Sequence, residues 1–262
     1  MSEPFAKISL VTPSFNQAKF IEQTIKSILD QGYPNLEYIV IDGGSTDGTV
    51  DILKRYADRL QWVSEPDGGQ SDGINKGLRR ATGDIVGYVN SDDLLLPGSL
   101  HRVNAFFRDH ANVSWMTGRC RIIDEQGKDV AGLARQYKDF LLRHYSRNML
   151  LMINFIAQMS TFWRRSAYER VGEFSTEQHL VMDYDYWLRL LQLGDPGIVP
   201  QTVSAFRLHQ DAKSTQRYRA QFHESYRASL PYIHHGWLKA LSWLHNQAVI
   251  GMYTLQARQR HS

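Results

Sequence analysis

The sequence predicts an α/β fold in which a mostly parallel central sheet is flanked by helices. Three observations predict it: short apolar runs rich in β-branched residues, amphipathic segments between those runs, and polar clusters where the runs end. Strands that alternate with helices form a parallel sheet, because each helix carries the chain back to the edge where the next strand begins. Ligands usually bind at the carboxyl edge of such a sheet.

The first half of the chain has the clearest alternation. Strands are predicted at residues 7–12, 37–41, 62–64 and 85–89. The apolar residues between Phe20 and Leu29 have helical spacing, and Gly32 ends this first helix. A second helix is predicted around Leu53, and a third over residues 74–81. The predicted strands therefore share one carboxyl edge.

The second half is less regular. A helix is predicted over residues 97–110, a fifth strand over 113–117, and a hairpin around residues 125–127. The length of the apolar run 149–156 favours a core helix or a buried strand over a binding surface. Residues 158–165 are predicted to form a strand that leads into a short helix ending at Gly172.

The composition is that of an ordinary globular protein. The chain has 262 residues, of which 42% are hydrophobic and 22% charged, and its net charge is +3. This mild charge indicates no nucleic-acid partner, and one cysteine, Cys120, excludes an intrachain disulfide. The sequence shows no apolar signal segment and no run of about 18 apolar residues. We therefore expect a cytoplasmic location.

The most informative stretch is residues 84–97, where an apolar strand ends in a polar cluster. Asn90, Ser91, Asp92 and Asp93 follow the strand directly. Carboxylate, amide and hydroxyl oxygens suit Mg²⁺ or Mn²⁺ that also binds a substrate diphosphate. The alternative is a helix start, in which one of the two aspartates is the N-cap.

Two other predicted strands are followed by acidic loops. Asp42 precedes two glycines, which allow the backbone to approach a ligand, although an Asx turn explains the same pattern. A second polar cluster lies before and within the first turns of the third helix. Its members are Asp67, Gln70, Asp72 and Asn75. They could bind a base and a ribose, or they could form a glycine-rich turn with Ser71 as the helix cap.

Four different polar motifs follow one another along the chain and are predicted to lie at this edge. They are Thr12-Pro13-Ser14-Phe15-Asn16, Asp42-Gly43-Gly44-Ser45-Thr46-Asp47-Gly48, Asp67-Gly68-Gly69-Gln70-Ser71-Asp72, and Asn90-Ser91-Asp92-Asp93. In order and spacing this series resembles family 2 glycosyltransferases over about the first 100 residues. The resemblance implies a GT-A (Rossmann-like) fold, with a nucleotide-binding half in residues 1–100 and an acceptor-binding half in residues 101–215.

The resemblance also implies roles for the residues of the four motifs. The nucleotide base would be held by Thr12, Pro13, Phe15, Asn16 and Asp42. Base and ribose would be flanked by Asp67, Gln70, Asp72 and Asn75. The ribose and a divalent metal would be bound by Asn90, Ser91, Asp92 and Asp93. Asn90 stands where the family often has the first aspartate of an Asp-x-Asp motif, which leaves Asp92 and Asp93 to hold Mn²⁺ or Mg²⁺.

A second informative stretch begins at Met182. Helical spacing predicts a helix here whose first turn contains Asp183 and Asp185, where the helix dipole favours carboxylates. We interpret Asp185 as a carboxylate that stabilises the start of this helix through the helix dipole. In the resembled family a catalytic carboxylate precedes an aromatic-rich helix, and Asp183 occupies that position. Asp183 is thus the predicted catalytic base, which takes the proton of an acceptor hydroxyl.

The segment after that helix resembles one that closes over the donor diphosphate in the same family. His209 is predicted to ligate the metal, although a lone histidine is more often a surface or core residue. Weaker predictions for phosphate binding fall on Arg207, Lys213 and Ser214.

Residues 216–262 are predicted to form a C-terminal extension of two helices, separate from a catalytic domain over 1–215. Its apolar residues could pack on that domain or on a second subunit of a homodimer. Alternatively, its aromatic and basic residues could hold the protein peripherally at the inner face of the cell membrane. Packing is favoured, because the polar face of these helices is not strongly cationic.

Together these features predict a metal-dependent, inverting hexosyl- or N-acetylhexosaminyl-transferase. Its donor would be a nucleoside-diphosphate sugar, with UDP favoured, and its acceptor a saccharide or lipid-linked glycan, as in bacterial surface polysaccharide assembly. One alternative is a sugar-phosphate nucleotidyltransferase, but that class has a glycine- and arginine-rich loop after the first strand, and residues 12–17 contain neither residue type. The other alternative is a non-catalytic nucleotide- or saccharide-binding module.

Overall fold

The structure is a computed structural model that describes residues 5–130, 132–178, 180–209 and 218–259. Within these residues the strands are β1 Ile8–Ser14, β2 Leu36–Asp42, β3 Gln61–Ser64, β4 Ile85–Tyr88, β5 Leu94–Leu95, β6 Trp115–Ile123, β7 Thr161–Arg164 and β8 Gly197–Arg207. The helices are α1 Ile21–Leu29, α2 Thr49–Lys54, α3 Gln70–Arg80, α4 Ser99–Asp109, α5 Leu133–Arg143, α6 Arg147–Met152, α7 Arg165–Val171, α8 Met182–Leu190, α9 Tyr218–Ser229 and α10 Gly236–Gln259.

The strands form one mixed sheet in the order β3-β2-β1-β4-β7-β6-β8-β5. The pairings of β3 with β2, β2 with β1, and β1 with β4 are parallel, as the alternation of strands and helices predicts. Strand β7 runs antiparallel to both β4 and β6, while β6 and β8 are parallel. The predicted α/β class is confirmed, and the departures from parallel pairing lie in the less regular half.

Helices cover both faces of the sheet, because successive side chains of a strand point to opposite faces. Leu10 packs in a cluster with residues of α1 and α4, whereas Val11 packs with residues of α3 and α8. Helix α3 lies unusually close to β1, since a Cβ added at Gly77 would lie 2.3 Å from a methyl group of Val11. This close packing brings the start of α3 to the carboxyl edge of the sheet.

Strand β8 is the main element that the sequence did not predict. Its register with β6 is interrupted, because Gly118 pairs with Val199 but the next residue, Arg119, pairs with Thr202. Pro200 and Gln201 lie between these two paired positions of β8 and form a bulge. This bulge breaks the alternation by which strands are recognised in sequence. Strand β6 continues to Ile123, and the predicted hairpin follows it. Ile123 pairs with Asp129, and the backbone N–H groups of Asp124 and Val130 donate to the carbonyls of Lys128 and Ile122 at 2.9 and 2.8 Å.

The apolar run 149–156 is helical only as far as Met152 and extended beyond it. The two predicted C-terminal helices are present as α9 and α10. Ala228 and Leu238 join the core cluster that contains α8, whereas Trp237, Leu241 and Leu244 are exposed. None of the helices in the described part of the chain has the combined length and apolarity that a bilayer-spanning segment requires.

Candidate active site

Hydrogen bonds join two of the predicted motifs at the carboxyl edge of the sheet and tie the start of α8 to them. At the start of α3, Gln70 donates from Nε2 to Asn90 Oδ1 at 2.8 Å, and Asn90 donates from Nδ2 to Asp93 Oδ2 at 3.3 Å. The neighbouring Ser71 hydroxyl donates to Met182 Sδ at 2.8 Å, which places the start of α8 against the start of α3. The loop after β4 and the first turn of α8 therefore meet around α3.

Asp183 lies in the first turn of α8, next to this contact. Its Oδ1 accepts the backbone N–H of Tyr184 at 2.7 Å, and the side chain of Asn154 also donates to it. Desolvation raises the pKa of Asp183 above the ordinary aspartate value, and these hydrogen bonds oppose the rise only in part. Burial also raises the pKa of the Tyr88 phenol, and the charges of Asp183 and Asp93 raise it further. The charges of both carboxylates therefore act on the Tyr88 phenol.

Asp92 and His209 form the second part of the site. His209 Nε2 lies 2.9 Å from Asp92 Oδ2, and the Asp92 side chain is 21% exposed. The imidazole packs on Phe20 with ring centroids 5.0 Å apart, and its buried Nδ1 has no hydrogen-bond partner among the described residues. Two residues 117 positions apart in sequence thus converge on one point.

This pair fits a divalent metal that completes its coordination with substrate phosphates and water. Carboxylate oxygen suits both Mg²⁺ and Mn²⁺, and imidazole is an accepted additional ligand. No group of three or more histidine, cysteine or acidic side chains suited to a metal occurs within the described ranges. The pair therefore fits a shared, substrate-completed site and not a closed protein cage.

Asp93 does not belong to the open part of the site, and metal ligation by its carboxylate stays a prediction. It is fully buried, and its Oδ1 accepts the backbone N–H of Arg207 at 3.0 Å. Burial and the neighbouring charge of Asp92 raise its pKa well above the ordinary value. The Thr24 hydroxyl donates to the carbonyls of both Ser91 and Asp93, at 2.9 and 2.8 Å. Ser91 and Asp93 therefore hold the loop in shape.

Arg207 likewise makes structural contacts, and its contact with a phosphate stays a prediction. Its side chain is fully buried and donates to the carbonyls of Asp92 and Glu125, each at 2.9 Å, and to Gln23 Oε1 at 2.8 Å. The hydrogen bond to the Asp92 carbonyl fixes the position of the Asp92 backbone. Lys213 and Ser214, the other predicted phosphate contacts, lie outside the described residues.

Asp42 forms the Asx turn that was the alternative to ligand binding. Its carboxylate accepts the backbone N–H groups of Gly44 and Ser45 at 3.2 and 2.9 Å, and the hydroxyls of Ser45 and Ser64 at 2.5 and 2.7 Å. The residue is fully buried. The turn is confirmed, and contact between Asp42 and a nucleotide stays a prediction.

The loop after β1 presents some of its predicted residues and buries others. The Thr12 hydroxyl is buried 3.0 Å from a tyrosine hydroxyl of β2, so its side chain packs in the core, and contact of Thr12 with a base stays a prediction. Pro13 is buried at the end of β1, whereas Phe15 is 60% exposed. Asn16 adopts a left-handed backbone with φ of 52°, and its Oδ1 accepts the backbone N–H of Thr46 at 2.9 Å. This loop is therefore tied to the loop after β2.

The polar cluster at the start of α3 divides in the same way. Asp67 and Asp72 are partly exposed, and they accept backbone N–H groups of the glycine turn at 2.8 and 3.0 Å. Asn75 is 1% exposed and makes two 2.8 Å hydrogen bonds with the backbone of Phe174. Both ends of the Asn75 amide therefore bind another loop, and its contact with base or ribose stays a prediction.

Sequence reasoning missed two residues that contact the site. Tyr88 was assigned only to a buried strand. Nothing in the sequence indicates that the charges of Asp183 and Asp93 raise the pKa of its phenol. Asn154 was included in an apolar run, although an isolated amide among residues 149–156 is a signal that a buried partner exists. Its Oδ1 is buried without a partner within the described residues, so Asn154 retains an acceptor beside Asp183.

Comparison with known proteins places this geometry in context. The sequence model of the family described as "Glycosyl transferase family 2" matches residues 9–172. TuaG of Bacillus subtilis, a glycosyltransferase assigned provisionally to teichuronic acid biosynthesis, is 37% identical over 115 residues, or 42% of this chain and 46% of TuaG. An uncharacterised glycosyltransferase of Rickettsia typhi is 25% identical over 83% of this chain and 68% of its own length. Relatives can be much longer, since the chain spans only 35% of a Rickettsia felis homologue.

Two groups of solved structures share the fold. S. aureus TarS 1–349, in complex with UDP-GlcNAc, superposes with a TM-score of 0.67 at 17% identity over 90% of this chain and 69% of that chain. The mannosyltransferase PcManGT from Pyrobaculum calidifontis, in complex with GDP-Man and Mn²⁺, has a TM-score of 0.66 at 20% identity over 97% of this chain and 81% of that chain. At these identities the likeness is one of fold.

Proposed function

Since the chain belongs to glycosyltransferase family 2, we propose that it transfers one sugar from a nucleoside-diphosphate sugar to a hydroxyl group of a saccharide or lipid-linked glycan. The observation that carries this proposal is the convergence of two sites at one sheet edge. One is the Asp92–His209 pair, and the other is the desolvated carboxylate of Asp183.

The neighbours support a nucleotide-sugar donor. TarS has been solved with UDP-GlcNAc and PcManGT with GDP-Man and Mn²⁺. We favour a UDP-linked hexose or N-acetylhexosamine as the donor. The name of TuaG supports a role in polysaccharide biosynthesis. We propose that the chain acts in bacterial surface polysaccharide assembly, at the cytoplasmic face of the membrane.

Asp183 is the proposed general base. A neutral sugar hydroxyl is a poor nucleophile, and a carboxylate within hydrogen-bond reach removes its proton as the new bond forms. The raised pKa of Asp183 makes it a stronger base than an ordinary aspartate. Asn154 and the backbone N–H of Tyr184 hold the carboxylate by hydrogen bonds without neutralising it. The acceptor oxygen then attacks the anomeric carbon of the donor.

Asp92 and His209 are the residues that would hold Mg²⁺ or Mn²⁺. A bound divalent cation supplies charge neutralisation for the departing nucleoside diphosphate. Arg207 and Asp93 keep the backbone of the Asp92 loop in place, so these two ligands are preorganised. With one base and no second carboxylate placed as a nucleophile among the described residues, we propose a single displacement with inversion at the anomeric carbon.

The direct test is a thermal-shift screen of nucleotide sugars with and without Mn²⁺, followed by detection of released nucleoside diphosphate. A ligand that binds the folded state raises its apparent melting temperature. We expect a shift with at least one nucleotide sugar, larger with Mn²⁺ than with EDTA. Absence of any shift with every nucleotide sugar would contradict the proposal.

Product analysis separates this function from the two alternatives. A glycosyltransferase releases a nucleoside diphosphate, whereas a sugar-phosphate nucleotidyltransferase consumes a nucleoside triphosphate and releases inorganic diphosphate. A binding module would shift in melting temperature and release neither product. Nucleoside diphosphate is the product we expect.

Helix α10 supports a second, peripheral contact with the membrane. Trp237, Leu241 and Leu244 are 57%, 46% and 55% exposed and recur at helical spacing along one face. We expect the full chain to float with vesicles that contain phosphatidylglycerol, and a W237S/L241S/L244S variant to remain at the bottom of the gradient. Equal recovery of the two proteins in the soluble fraction would refute membrane contact. Loss of a dimer by the variant in light scattering would instead identify a second subunit as the partner.

A further inference from the structure

A cavity beside α5 is separate from the residues assigned to the donor and the base. Its volume is about 340 Å³. Its lining is dominated by arginine, with one acidic and one aromatic residue. The side chains that line it include Arg119, Arg135, Gln136, Asp139, Phe140 and Arg143. Three arginines against one aspartate make the lining electropositive.

The arginines of this cavity are incompletely paired. Arg119 donates from Nη2 to Asp139 at 2.6 Å, but its buried Nε has no hydrogen-bond partner among the described residues. Arg135 shares Asp129 with an arginine of β6. The guanidinium of Arg143 contacts no acidic side chain within the described ranges. A buried donor without an acceptor is unfavourable, so the Nε group of Arg119 is able to donate to a bound acceptor oxygen.

The position of α5 connects the cavity to the candidate active site. Lys138 immediately precedes Asp139 on α5, and its positive charge acts on Asp183 and opposes the rise in the pKa of that residue. Helix α5 thus carries both residues that line the cavity and a positive charge that acts on the candidate base. None of the residues placed around the donor lines it.

We propose that this cavity binds an anionic group of the acceptor, a phosphate or a carboxylate, and so selects acidic acceptors. The inference rests on the proposed glycosyl transfer and specifies its acceptor. The planar guanidinium of arginine matches both anions, because it donates two parallel hydrogen bonds to a pair of oxygens. Phe140 is 55% exposed beside the arginines and offers an apolar surface for the adjoining part of the acceptor.

Calorimetric titration of the full-length protein with inorganic phosphate and, separately, with glucuronate tests this proposal. EDTA is present so that no metal at Asp92 and His209 attracts either anion. We expect Arg143→Gln to bind the preferred anion about tenfold more weakly than the wild type, as for loss of one charge-assisted hydrogen bond. Arg170→Gln, an exposed arginine on α7 outside the cavity, is the matched control and is expected to bind like the wild type.

Arg119→Lys provides a second variant that keeps the charge but removes the Nε donor, and it is also expected to bind more weakly. Tighter binding of phosphate than of glucuronate identifies a phosphorylated acceptor, and the reverse identifies an acceptor with a uronic acid. Failure of the wild type to bind either anion, or equal binding by the wild type and Arg143→Gln, overturns the proposal. Donor hydrolysis by the wild type is measured in parallel. Its absence would refute the glycosyl transfer, and with it the assignment to an acceptor, even if phosphate bound.

Discussion

The two ends of the parallel strands hold their carboxylates in opposite ways. At the amino end of β2, Glu37 accepts hydrogen bonds from Lys7, from Ser9, and from the backbone and hydroxyl of Thr82, over 2.5 to 2.8 Å. Burial alone would raise its pKa, but these donors outweigh burial and lower the pKa of Glu37 to about 2. At the carboxyl end, Asp183 has fewer donors, so desolvation dominates and its pKa is raised.

The difference separates a carboxylate that stabilises the fold from one that is available for chemistry. A carboxylate whose lone pairs are all used cannot accept a further proton at neutral pH, whereas a desolvated and partly satisfied one can. Asp42 sharpens the comparison. It lies at the carboxyl edge, yet it is saturated by its own loop as Glu37 is by its neighbours. Position at the edge is therefore not sufficient for a chemical role.

The largest expected effect is at the reactive end of the comparison. We expect Asp183→Asn to lower the rate of sugar transfer by about 10²–10⁴-fold, because an amide cannot remove the proton of the acceptor. Nucleotide-sugar binding, measured by thermal shift, should persist. The wild-type rate should fall as the pH drops through the raised pKa of Asp183, above the range of an ordinary aspartate.

Asp185→Asn is the matched control for this change. Asp185 lies in the same turn of α8, and its carboxylate is paired with Arg189 at 2.9 Å. We expect it to retain most of the wild-type rate. Turnover by Asp183→Asn at the level of this control would remove Asp183 as the base.

At the other end of the sheet, Glu37→Gln should change stability and not catalysis. The folded-state pKa of Glu37 is lowered from 4.5 to about 2. Its ionised form therefore stabilises the fold above pH ~4.5, and this contribution is lost as the pH falls toward ~2. The shift corresponds to about 3 kcal/mol.

Urea unfolding at several pH values measures this contribution. The free energy of unfolding of Glu37→Gln should be lower than that of the wild type at pH ~7 and should converge with it near pH ~2. Asp51→Asn is the control, because the Asp51 side chain is 78% exposed in its pair with Lys54 and surface pairs contribute little. A constant difference between Glu37→Gln and the wild type at every pH would show that the hydrogen bonds do not depend on its charge.

Asn75 makes two hydrogen bonds with the backbone of Phe174, and Asn75→Leu leaves both of these buried backbone groups without a partner. We expect the free energy of unfolding to fall by about 2–3 kcal/mol. Thermal unfolding checks this, with the exposed Asn112→Leu as control. The nucleotide-sugar affinity of the folded variant should stay near that of the wild type. A selective loss of affinity with unchanged stability would support the predicted contact of Asn75 with base or ribose.

The smallest of these effects is expected at His209. We expect His209→Ala to raise the Mn²⁺ concentration needed for half-maximal activity by about tenfold to hundredfold, because one protein ligand is removed while Asp92 and the substrate remain. His110→Ala, an exposed histidine that stacks on Phe106, is the control. An unchanged Mn²⁺ requirement in His209→Ala would show that His209 is not a metal ligand beside Asp92.

The first half of the fold was predictable because its elements are local. Each strand from β1 to β4 is a short apolar run, and each intervening helix has its own amphipathic spacing. Strand β8 was not predictable, because the bulge at Pro200 and Gln201 interrupts its pattern and only its pairing with β6 defines it. The same strand decides the roles of two site residues, since the backbone of Arg207 takes up the carboxylate of Asp93.

By itself, the sequence determined the α/β class, the motifs at the carboxyl edge and the chemical types of the candidate residues. Only the tertiary structure decided which of two adjacent aspartates is open. Asp92 meets His209, whereas Asp93 is buried against β8. It also decided that the side chains of Asn75 and Arg207 hold neighbouring loops in place by hydrogen bonds to their backbones. The physical reason is that exposure and hydrogen-bond saturation depend on partners distant in sequence, which a local pattern does not specify.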